Sequence, residues 1–87
     1  MMPRERLTPK EVQVAMLVWQ GLTNREIGKI MGTSEQVIKN HLRSTFDKLG
    51  VWSRLELAMY VASRGGQNWP EGQRLAANED RGSAIVA

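Results

Sequence analysis

The sequence predicts an all-α fold, four short helices followed by a flexible C-terminal tail. Three observations predict it. A Ser or Thr followed three residues later by Glu or Gln occurs four times, as Thr8…Glu11, Thr23…Glu26, Thr33…Gln36 and Ser53…Glu56. Each pair is a helix-start signal, and each precedes apolar residues at helical spacing. Glycines stand where each helix should stop, at Gly21, Gly32, Gly50 and Gly65, and glycine takes the left-handed turn that ends a helix without strain. Beyond Gly66 the periodicity fades.

Residues 1–6 read as a charged N-terminal arm. The first helix opens at Leu7-Thr8-Pro9-Lys10-Glu11, where Thr8 caps and Pro9 sits in the first turn, at a position whose missing N–H costs nothing. It should run to about Gln20, with Val14, Leu17 and Val18 as its core stripe and Ala15 beside them. The second opens at Thr23-Asn24-Arg25-Glu26 and runs through Met31, with Ile27 and Met31 facing the core and Ile30 beside them. Gly32 leaves almost no slack before Thr33 or Ser34 caps the third helix. Two helices joined by so tight a turn form a helix-turn-helix.

The third helix, about residues 34–49, organises the rest. Ile38, Leu42, Thr45 and Leu49 make a narrow, mostly apolar stripe flanked by Phe46. At about 100° per residue, Gln36, Asn40, Arg43 and Asp47 fall on the opposite face, with Lys39 at its edge. A buried stripe backed by bidentate donors suits a helix that reads a DNA groove, although a charged outer face is also what an ordinary surface helix carries. A fourth helix, from Ser53-Arg54-Leu55-Glu56 to about Arg64, follows Val51 and Trp52. Residues 65–87 contain four glycines, little periodicity and isolated apolar residues, and 67–87 are expected to be disordered.

Length and composition set bounds. With 87 residues the chain is one small domain, near the lower size at which a core suffices. It has no cysteine, hence no disulfide framework or thiolate metal site, which suits a cytoplasmic protein. No apolar run reaches the ~18 residues of a membrane span, and the Met-Met-Pro-Arg-Glu-Arg start does not read as a signal peptide. The net charge is +3, with ten Lys/Arg against six Asp/Glu in residues 1–64. That excess is compatible with an anionic partner but does not require one.

The order L-T-P-K-E, Q-G-L-T-N-R-E-I, S-E-Q-V-I-K-N-H-L, K-L-G-V and S-R-L-E resembles the LuxR-type (GerE-type) helix-turn-helix over roughly residues 7–64, with residues 7–66 as the domain. The resemblance implies a bacterial transcription regulator that binds double-stranded DNA as a homodimer, its third helix in the major groove and its fourth at the dimer contact. Residue by residue it implies that Lys39, Asn40 and Arg43 face bases and nearby phosphates, and that Asn24 and Arg25 touch the phosphate backbone. Gln36 joins this DNA-binding set from its place on the same helical face. Glu26 matches an acid with a capping and internal-pairing role.

Four positions depart from the family pattern. Val37 stands in place of a phosphate-bonding Thr, Thr33 in place of an apolar residue, and Ile30 where Arg or Lys is common. Gly28 stands in place of an alanine, at about 1 kcal/mol in helix propensity.

His41, the only histidine, has no ligand-spaced partner and reads as structural. No catalytic grouping, metal set or phosphate-cradling loop appears, so neither an enzyme nor a cofactor is expected. Asp47 is expected to pair with Arg43. Two apolar stripes exceed what a monomer core needs. Leu55, Met59 and Ala62 on the fourth helix coincide with the dimer face that the resemblance implies. Val12, Met16 and Trp19 on the first could receive a regulatory protein, the tail or a second subunit. The alternative to a DNA-binding regulator is an interaction module on the same fold that uses these stripes and has little DNA affinity.

Overall fold

The structure, a computed structural model, describes residues 6–69. They form α1 (Pro9–Trp19), α2 (Asn24–Met31), α3 (Glu35–Leu49) and α4 (Arg54–Ser63), then one short 3-10 turn, Gly66–Asn68; no strand occurs among the described residues. The all-α expectation therefore holds. None of these helices is long and apolar enough to cross a membrane.

The caps explain the helix starts. Thr8 and Thr23 each accept a bond from the backbone N–H three residues on, and Glu11 and Glu26 each reach back to the cap's own N–H. At α3 the choice between Thr33 and Ser34 falls to Ser34, whose Oγ accepts from Val37 N. The Thr33/Gln36 box does not form, and Gln36 turns instead to Asn40. At α4 Ser53 caps, but Glu56 accepts from Trp52 N rather than from Ser53 N, so the box is stretched by one residue.

The α2–α3 turn is the tightest joint. Gly32 takes a left-handed conformation at φ 71°, which an L side chain rarely adopts. Thr33 N then bonds back to Gly28 O at 2.8 Å. This return brings Thr33 O so close that a Cβ on Gly28 would lie 2.8 Å from it. Glycine at this position in the second helix is thus a packing requirement of this turn as well as a propensity cost.

The core gathers Val14, Ala15, Val18, Ile27, Ile38, Leu42, Leu57, Val61 and Trp69. α1 lies centrally, packed on α2, α3 and α4. Three expectations are corrected here. Ile30 does not join Ile27 beside the core; it is 57% exposed. Residues 67–69 are not a disordered start to the tail, because Trp69 is 2% exposed and stands edge-on to Tyr60 with ring centroids 6.3 Å apart. Residues 70–87, the rest of that segment, lie outside the described residues.

The third correction concerns α1. Val12, Met16 and Trp19 are half-buried and pack against the core. Gly66 lies against the Trp19 ring so closely that a Cβ there would be 2.9 Å from Trp19 Cζ2. The chain's own 3-10 turn thus takes a share of this stripe at Trp19, and the stripe belongs to the core rather than exceeding it.

Candidate nucleic-acid interface

α3 separates its faces as its periodicity requires. Ile38, Leu42 and Thr45 are buried, whereas Gln36, Lys39, Asn40, Arg43 and Asp47 are exposed. Thr45 spends its hydroxyl on His41 O at 2.7 Å, so a polar residue enters the stripe without an unmet donor. His41 sits half-buried beside it. On the open face Gln36 Nε2 donates to Asn40 Oδ1 at 3.1 Å. That bond links two exposed amides one turn apart on the same helix face. Lys39 and Arg43 flank them as cations. Asp47 does not pair with Arg43, and no ion pair joins the two among the described residues. Val37, 37% exposed, lies in the same first turns.

The start of α2 gives a second group. Arg25 is exposed, while Asn24 is half-buried and accepts a 2.6 Å bond through Oδ1 from Arg54 Nη1. Arg54 Nη2 also donates to Leu22 O. The sequence reading did not anticipate Arg54. Glu26 is used as the capping acid and forms no ion pair among the described residues.

A second unanticipated feature braces α3 against α1. Glu11 is only 4% exposed. It accepts from Lys48 Nζ at 2.8 Å and from Ser44 Oγ at 2.7 Å, besides capping α1. Burial pushes the carboxyl upward, but the bonds from Lys48, Ser44 and the Thr8 backbone, with the Lys48 charge, outweigh it and hold its pKa below the ordinary value. One carboxylate thus closes the α1 cap and ties down the C-terminal half of α3.

On α4 Leu57 and Val61 face inward. Leu55 at 69% and Met59 at 60% exposure face out with Ala62, and Trp52, just before the helix, is 87% exposed. No group of residues suited to hold a metal ion occurs among the described residues.

The stretch that carries these helices also matches a known family by sequence. Residues 5–61 match the family described as bacterial regulatory proteins, luxR family. The chain belongs to that family. Within it, LiaR of Bacillus subtilis, named a transcriptional regulatory protein, is 34% identical over 60 residues, 69% of this chain and 28% of LiaR. The nitrate/nitrite response regulator NarP of Escherichia coli is 36% identical over 66 residues, 75% of this chain and 31% of NarP. A candidate HTH-type transcriptional regulator of Mycobacterium tuberculosis is 41% identical over 59 residues, 68% of this chain but 7% of that protein. The LuxR-type domain thus spans less than a third of each of these relatives. No solved structure matches the chain.

Proposed function

We propose that this LuxR-family chain is a sequence-specific DNA-binding element of a dimeric transcription regulator, with α3 in the major groove. One observation carries the reading. The face of α3 opposite the core presents Gln36, Lys39, Asn40 and Arg43, all exposed, and these side-chain types contact base edges and phosphates. Arg25 and Asn24, in the first turn of α2, would take backbone phosphate, where free N–H groups and the positive end of the helix favour an anion. The exposed stripe of Leu55, Met59 and Ala62 would close the homodimer. The relatives' names as transcriptional regulators support the same role.

The test is fluorescence anisotropy on duplexes selected from a random pool and on scrambled ones, across salt concentrations. Lys39→Ala, Asn40→Ala or Arg43→Ala should cost about 1–3 kcal/mol and relax preference at one position. Arg25→Ala should weaken all sequences alike and flatten the salt slope by about one unit. A second reading, an interaction module with little DNA affinity, is favoured by exposed Ile30 and Val37 on the helix-turn-helix itself. Wild-type protein that shows neither sequence preference nor salt dependence would establish that reading instead.

A further inference from the structure

The guanidinium of Arg54 is held in an unusual place. Arg54 is the first residue of α4, yet its side chain leaves that helix for the start of α2. There its fork bridges Asn24 Oδ1 and the Leu22 carbonyl. Both acceptors are neutral, and no carboxylate among the described residues pairs with it. A cation at the N-terminal end of a helix also opposes the helix dipole. The fold therefore keeps a charged group, partly buried and not neutralised, where its own electrostatics disfavour it. An anion arriving at the start of α2 would turn that cost into attraction.

The geometry also dictates how Asn24 is turned. Arginine has donors and no acceptor, so the atom of Asn24 that meets it has to be the oxygen. The amide N–H2 is consequently fixed on the other branch of the side chain, and no hydrogen bond occupies it among the described residues. Asn24 remains partly exposed and is followed by exposed Arg25. An asparagine free to rotate would present its oxygen to a phosphate as readily as its nitrogen. Clamped by Arg54, it can present only the donor.

We propose that Arg54 is a positioning residue for phosphate recognition: it locks the Asn24 amide donor-outward beside Arg25 and adds its own charge behind it. This rests on the DNA-binding reading above, and names one residue from α4 that completes the contact made by α2. It also links the two ends of the domain, because the residue that opens the α4 face orients the backbone contact.

The test is a double-mutant cycle on the full chain, read by anisotropy with a scrambled-sequence duplex at several salt concentrations, below each variant's melting transition. Arg54→Lys keeps the charge but cannot fork, and should weaken binding about tenfold when Asn24 is present, the scale of one charge-assisted bond. In the Asn24→Ala background the same change should cost less than about twofold, because nothing is left to position. Asn24→Asp supplies a second arm that does not disturb packing. It keeps the acceptor for Arg54 and should melt no lower than wild type, yet bind at least about tenfold more weakly, since a donor has become an anion. Equal losses from Arg54→Lys in both backgrounds, or wild-type binding by Asn24→Asp, would overturn the proposal. If Arg54→Lys does not fold, the Asn24→Asp arm decides. Wild-type protein without salt-dependent binding would overturn the DNA reading and this proposal together. Weakening by Arg25→Ala alongside an additive cycle would remove only the role of Arg54.

Discussion

Replacing Trp69 tests how far the folded unit extends. Its side chain is 2% exposed and edge-on to Tyr60, which itself carries the Arg64 guanidinium 4.6 Å from its ring centroid. Truncating a buried Trp to Ala costs about 3–5 kcal/mol through lost transfer energy and the cavity left behind. The buried indole Nε1 has no hydrogen-bond partner among the described residues, a penalty of about 1 kcal/mol that the truncation relieves. The net loss is then about 2–4 kcal/mol. A unit of this size holds only roughly 3–10 kcal/mol in total, and each kcal/mol moves its melting temperature by about 4–8 °C. Trp69→Ala, or truncation after Gly66, should therefore lower the melting temperature by about 10–30 °C. Trp69→Phe keeps most of the apolar volume, removes the unpaired donor, and should stay within about 1 kcal/mol of wild type. Thermal melts by far-UV circular dichroism read all three. A truncation after Gly66 that melts with wild type would refute the reasoning and restore residue 66 as the domain's end.

Gly28→Ala should destabilise by about 1–3 kcal/mol in denaturant titrations despite alanine's better helix propensity, because its Cβ would meet Thr33 O; a stabilised variant would show that the α2–α3 turn yields easily. Glu11 has a folded pKa below its ordinary value of about 4.5, so its contribution is complete above that value and is lost as pH falls through the folded pKa. Glu11→Gln should cost about 1–3 kcal/mol at neutral pH and remove part of the acid limb of the stability profile, read by chemical denaturation at stepped pH. Met59→Asp should shift the oligomeric state toward monomer in sedimentation, since burying a Met side chain is worth roughly 1.5–3 kcal/mol; an unchanged state would remove α4 as the dimer face.

The helices were legible because their determinants are local. Thr8 with Glu11 and Thr23 with Glu26 make the reciprocal cap bonds that their spacing announces, and the buried and open faces of α3 follow from a period of 3.6 residues. What the sequence concealed depends on partners distant along the chain. Lys48 lies 37 residues from Glu11, and Arg54 lies 30 from Asn24. Neither pair has a local signature, although a cation opening α4 against its dipole is itself a hint that something else holds it. Trp69 escaped for another reason. A single aromatic residue after two glycines carries no periodicity, so composition argued for disorder while burial decided otherwise. Ile30 shows the converse, since an apolar residue next to a core position on a helix of 8 residues is as easily exposed as buried.

The open face of α3 is useful only if its angle to the rest of the domain is fixed, and three ties of different chemistry fix it. Gly28 lets α2 approach the turn that launches α3, so the first residues of the polar face have little freedom to tilt. Glu11 holds Ser44 and Lys48 on the opposite half of the same helix. Between them Ile38 and Leu42 enter the apolar core. A backbone contact, a buried charged network and a hydrophobic stripe respond differently to temperature, salt and pH, so no single change of condition loosens all three. Removing any one should let α3 pivot about the other two. On the DNA-binding reading proposed above, precise contacts to base edges would then degrade before the general electrostatic attraction for phosphate. Loss of sequence preference at retained non-specific affinity is therefore the signature expected of Gly28→Ala or Glu11→Gln on DNA, separable in one titration series from the loss of charge itself.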